Sequence, residues 1–250
     1  MGPHNTLEME NIWMNSKYRY LIPNGITFLS LICGLVAIML AASGELYIAG
    51  VLILTSYILD LFDGALARSL KADSEFGLQL DSLVDMVSLG TAPAVLAFVH
   101  LRDTALNMAW VWPFVILLAL SGAFRLARFN LLPPKSSGSK DSAGLPISTG
   151  GAVMALAVLS DLTYEGQEIF PSWTFILLLL FMSVLMVSTL PFPSFMWIFS
   201  NKQRNVGLIA MLVISLIIVK NFLISWYFWT VVYLGVALIR AFYKRDNRDR

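Results

Sequence analysis

Apolar residues fall along this chain in long blocks separated by short polar breaks. Measured against the roughly 20 residues that an α-helix needs to cross a bilayer, the blocks predict spans at about 21–42, 46–67, 81–100, 106–127, 146–162, 172–190, 205–219 and 222–240, the seventh being short. The expected fold class is all-α: a polytopic integral membrane helical bundle of about eight transmembrane helices. An even number of spans puts both termini on one side of the membrane. The stretch Leu132–Gly144, with Pro133, Pro134, Ser136, Ser137, Gly138 and Ser139, is the clearest flexible connection. No internal repeat or second domain interrupts the pattern, so residues 1–250 are read as a single membrane domain.

Charge tests that count. With a cytoplasmic N-terminus, the predicted inside segments hold all but Arg102 and Lys220 of the 17 Lys and Arg residues. The loop Asp161–Glu168 carries only acidic charge, which suits the outer face. Both termini are therefore expected in the cytoplasm. Trp110, Trp112 and Trp173 fall near predicted outer helix ends, where indole rings act as interfacial anchors. Residues 1–20 contain Glu8, Glu10, Lys17 and Arg19 and no cleavable signal pattern, so the first span is expected to be retained. They form a cytoplasmic or interfacial segment in which Leu7–Met14 can lie on the membrane surface as a short helix.

A composition that is 58% apolar and 13% charged excludes an ordinary soluble domain. Cys33 is the single cysteine, so the chain has no internal disulfide and no cysteine-based metal site. The basic residues are scattered through loops without a concentrated patch, which argues against nucleic acid as a partner.

The chemistry is concentrated in one hairpin. Asp60, Asp63, Gly64, Ala67 and Arg68 share one helix face, and Asp81 and Asp85 lie one turn apart on the next span. Four carboxylates gathered in a low-dielectric setting need a cationic offset. An oxygen-only ligand set points to a hard ion, Mg²⁺ or Mn²⁺, and four carboxylates can hold two. Paired metals suit phosphoryl displacement. Gly64 and Ala67 leave room for a bulky ligand, and Arg68 offers a fork for phosphate. The plain alternative is a set of solvated surface charges with simple ion pairs such as Asp63 with Arg68.

Taken as one string, Asp60-x2-Asp63-Gly64-x2-Ala67-Arg68-x8-Gly77-x3-Asp81-x3-Asp85 resembles the signature of the CDP-alcohol phosphatidyltransferases. That resemblance implies a membrane-embedded helical fold, two divalent cations on the four aspartates, a homodimer, and CDP binding near Gly64, Ala67, Arg68 and Gly77. Leu80–Ser88 running into Gly90-Thr91-Ala92-Pro93 is similar to the phosphatidylserine synthase branch. So are Pro23-Asn24 with Thr27, the stretch Arg125–Asn130, and Gly144-Leu145-Pro146. Relatives that use glycerol phosphate typically place a lysine after the last aspartate, where this chain has Met86. Leu89 and Ser148 depart from the branch, which more often has phenylalanine and proline there. The resemblance implies CDP-diacylglycerol and L-serine as substrates, with release of CMP. It covers about residues 20–150, and residues 21–162 are taken as the catalytic core, 163–240 as further transmembrane helices and 241–250 as a basic cytoplasmic tail.

The expected roles follow. Asp60, Asp63, Asp81 and Asp85 hold the metals, and Asp85 is also the general base for the serine hydroxyl. Asn24 and Thr27 contact the nucleotide or cap the helix near Pro23. Arg125 and Arg128, with Asn130, grip a carboxylate or phosphate. His100 is read as an interface residue and His4 as part of the tail, which leaves no histidine-assisted nucleophile. The competing functions are transfer to choline, inositol or glycerol phosphate, and cation transport. The expected location is the cytoplasmic membrane, with the active site facing the cytoplasm.

Overall fold

Helices follow the apolar blocks. The computed structural model describes residues 4–70, 74–131, 141–163, 171–193 and 221–246. Helix α1 (His4–Ala42) and helix α2 (Leu46–Leu70) form a tight hairpin. It reverses at Gly44, whose φ of 94° suits glycine, and the Glu45 amide reaches back to the Leu40 carbonyl at 2.9 Å. Below the polar end of this hairpin, Ser30 and Ser56 face each other at 2.6 Å, so each buried hydroxyl has a partner.

Glu75–Arg102 forms one continuous span of 28 residues. It consists of α3 (Glu75–Asp85), a π-helical turn (Met86–Thr91) and α4 (Ala92–Arg102). The π turn has a local cause. Pro93 has no N–H, so the Leu89 carbonyl lacks its helical donor, and the Thr91 hydroxyl bonds to the Met86 carbonyl at 2.9 Å. Ser88, inside the turn, donates to the Ser30 carbonyl at 3.1 Å and pins the turn to α1.

Helix α5 (Met108–Leu131) completes the first half. Beyond it come β1 (Asp141–Ala143), α6 (Ile147–Leu162), α7 (Ser172–Val187), β2 (Pro191–Pro193) and α8 (Phe222–Asp246). Helix α6 is buried along nearly its whole length and packs against α2, α4, α7, α8 and the π turn. Gly150, Gly151, Ala152, Ala155 and Ala157 let its neighbours approach closely, which makes it the central post of the bundle.

The fold is helical as expected, and β1 and β2 add a short antiparallel ladder that pairs Ser142 with Phe192. Among the described residues, five helices are long and apolar enough to cross a membrane: Tyr20–Ala42, Leu46–Leu70, Glu75–Arg102, Met108–Leu131 and Phe222–Arg240. Helices α6 and α7, expected as spans, have 16 residues each, or about 24 Å against a hydrocarbon core of about 30 Å. The expected seventh span at 205–219 lies outside the described residues.

His100, in the last turn of α4, has its Nε2 3.1 Å from Asp161 Oδ2, with the two side chains 10% and 7% exposed, and its ring meets Phe175 edge-on. It packs against α6 and α7. Asp161 belongs to the last turn of α6, although its sequence neighbourhood reads as an outer loop.

Candidate active site

At the end of α2, helical spacing turns Asp60, Asp63, Gly64 and Ala67 to one side. Across from them, Ser74 caps α3 by accepting the Gly77 amide at 3.0 Å. That cap fixes where α3 begins and so sets the direction of Asp81 and Asp85. One carboxylate oxygen from each of Asp60, Asp63 and Asp81 lies within 4.8 Å of the others. Asp85, 8% exposed, joins the group through a carboxyl–carboxyl contact with Asp60. Two helices thus bring all four side chains together.

Thr27 ties α1 to this group by donating to Asp63 Oδ2 at 2.6 Å. Its hydroxyl also lies 3.1 Å from the carbonyl of Pro23, the proline inside α1. The Gly64 amide bonds to the Asp63 carboxylate as well. Arg125, 9% exposed on α5, is the buried cation beside Asp85, Asp60 and Asp81. Its guanidinium lies 5.4 Å from the centre of the Phe129 ring. Arg68 approaches Asp63 and Asp81 from the exposed side.

Charge balance indicates what this arrangement can hold. Two unit charges 4.8 Å apart repel by about 3.5 kcal/mol at an effective dielectric of roughly 20. Four ionised carboxylates exceed the two neighbouring guanidinium groups by two charges. Oxygen ligands from rigid helices, with no nearby histidine or thiol in the group, fit hard divalent ions.

A cleft of about 440 Å³ opens beside Asp63 and Asp81. Asn24, Thr27, Gly64, Ala67, Arg68 and Gly77, all singled out from the sequence, line it. Its size and its mixture of small, polar and basic lining suit a nucleotide. Ser74, Glu75 and Leu78 also line it and were not anticipated. A larger groove of about 570 Å³ between α6, α7 and α8 is lined by hydrocarbon with only Thr174 and Tyr227 for polar groups. It lacks the charges for phosphoryl chemistry.

Two sequence candidates have other partners. Arg128 donates to the carbonyls of Val187 (2.8 Å), Ala143 (2.8 Å), Ser188 (2.9 Å) and Met186 (3.3 Å). These include carbonyls at the end of α7 that have no partner within the helix, so the guanidinium caps α7. Asn130 donates to Ser82 Oγ at 3.1 Å and couples the end of α5 to α3, next to Asp81. Ser148, which the sequence reading treated only as a departure from a pattern, hydrogen-bonds to Asp60.

A helical membrane fold that gathers four aspartates beside a nucleotide-sized cleft defines a class. The CDP-alcohol phosphatidyltransferase family model matches residues 20–186, and the chain belongs to that family. Among its relatives, the CDP-diacylglycerol–serine O-phosphatidyltransferase of Helicobacter pylori is 32% identical over 203 residues, covering 80% of this chain and 83% of that protein. The Bacillus subtilis enzyme of the same name is 38% identical over 182 residues, covering 70% of this chain and 90% of its own. The archaetidylserine synthase of Methanothermobacter thermautotrophicus is 31% identical over 174 residues, covering 69% of each. The family and the apolar helices together make this an integral membrane protein.

Proposed function

We propose that this protein is a phosphatidylserine synthase, which transfers the phosphatidyl group of CDP-diacylglycerol to the hydroxyl of L-serine and releases CMP. The observation that carries the reading is the group of aspartates, with Asp60, Asp63 and Asp81 within 4.8 Å of one another and Asp85 against Asp60, of which Asp63 and Asp81 line the cleft. The names of the relatives support serine as the acceptor.

Asp60, Asp63, Asp81 and Asp85 would hold two divalent cations, Mg²⁺ or Mn²⁺, whose chemistry is to neutralise the diphosphate and the charge on departing CMP. The cleft receives the nucleotide: Gly64, Ala67 and Gly77 keep its wall low, Arg68 meets phosphate, and Asn24 and Thr27 border it from α1. Asp85 accepts the proton of the serine hydroxyl. The freed oxygen forms a bond to the lipid-side phosphorus, and the bond from that phosphorus to the bridging oxygen breaks, so the oxygen leaves with CMP. Arg125, buried beside Asp85, would receive the serine carboxylate.

The remaining parts of the reading are a cytoplasmic membrane location, eight spans with both termini and the site on the cytoplasmic side, a catalytic core at 21–162 and a homodimer. The distribution of Lys and Arg supports the orientation. The test is to supply purified protein with Mn²⁺ or Mg²⁺, CDP-diacylglycerol and labelled serine. One labelled lipid should form per CMP released, and none with choline, inositol or glycerol phosphate in place of serine. Product with one of those acceptors and not with serine would reassign the acceptor. Ion flux without CMP release would favour a transporter.

A further inference from the structure

The nucleotide cleft accounts for Asp63 and Asp81, and α5 supplies Arg125, but α6 also reaches the aspartates. Half-buried Ser148, in the first turn of α6, donates its hydroxyl proton to the Asp60 carboxylate, which also touches Asp85. The fold fixes that first turn closely. Gly144 has a φ of 76°, and a β-carbon there would lie 2.6 Å from the Ser188 carbonyl oxygen and 2.7 Å from Arg128 Nη2. The amides of Gly144 and Leu145 bond to the carbonyls of Leu190 and Leu185 at 2.9 and 3.0 Å. Ile147 is fully buried in a slot left by two missing side chains: a β-carbon on Gly122 would lie 2.6 Å from its Cδ1, and one on Gly90 3.0 Å. The next residue in the chain therefore has little freedom to move away from Asp60.

We propose that Ser148 is a positioning residue for Asp60: its hydroxyl fixes the carboxylate rotamer and leaves an oxygen of Asp60 facing Asp63 and Asp81. This role rests on the reading of the aspartates as metal ligands. Serine suits it because the contact needs a donor, and a proline at this position would supply none. An outer hydroxyl of this kind orients a ligand carboxylate at no cost in net charge.

The test measures Mn²⁺ binding by electron paramagnetic resonance on purified protein without lipid substrate, alongside kcat and KM. S148A and S148C remove the hydroxyl, S148C with little change in volume, while S148T keeps it. Both hydroxyl-free variants should bind Mn²⁺ about tenfold more weakly and lose kcat in step, with KM for serine little changed, and S148T should restore both properties. D60N is the control and should weaken Mn²⁺ binding at least as much. If S148A and S148C bind Mn²⁺ like the parent while D60N does not, the positioning role is wrong and the metal reading stands. If D60N also binds like the parent, the aspartates are not the ligands and both ideas fall.

Discussion

Asp85 and Arg128 are the two residues for which sequence and structure lead to the sharpest single-site outcomes. Asp85→Asn keeps size and polarity but removes the proton acceptor, so kcat should fall by at least about a hundredfold. CDP binding, followed by equilibrium dialysis, should largely survive. Arg128→Ala should act on stability instead, because the guanidinium holds carbonyls at the end of α7. A loss of about 2 kcal/mol in unfolding free energy is expected, with KM for serine little changed. A large rise in that KM would return Arg128 to the substrate site. The aspartates were legible because spacings of three and four residues fix a shared helix face. Arg128 was not, because three of its four partners lie 58 to 60 residues away in sequence and all are backbone carbonyls, which no side-chain pattern marks.

At the scale of elements, the site depends on where α3 starts and how α6 enters. Ser74→Ala removes the cap on α3 and should cost about 1 kcal/mol, with weaker CDP binding because Asp81 and the cleft wall share that helix. Ser74→Asn should recover most of the loss, as read by thermal unfolding and CDP titration. Gly144→Ala should be worse, by about 2 kcal/mol or more, since it adds left-handed backbone strain to a collision with the Ser188 carbonyl. Most helix positions followed from the length of the apolar blocks. The short α6 is among them, expected at 146–162 and found at Ile147–Leu162, and surrounding protein lets its 16 residues serve where lipid would demand more. The π turn was not legible: Pro93 is visible in the sequence, but its effect depends on the neighbouring carbonyl and the Thr91 hydroxyl. His100 and Asp161 lie 61 residues apart, so a loop-by-loop charge reading assigned them separately to the outer face.

For the molecule as a whole, the same helices that bury α6 open a polar cleft at one end of the bundle. Reporter fusions at both termini should respond as cytoplasmic, and a cysteine introduced at Arg102 should be labelled from the opposite side. The most direct test of the central claim, that two helices present four aspartates to divalent ions beside a nucleotide, is an anomalous-scattering map from crystals grown with Mn²⁺ and CDP. It should show two peaks among Asp60, Asp63, Asp81 and Asp85, with the CDP diphosphate against them. Peaks elsewhere, or CDP bound with no metal at these aspartates, would contradict it.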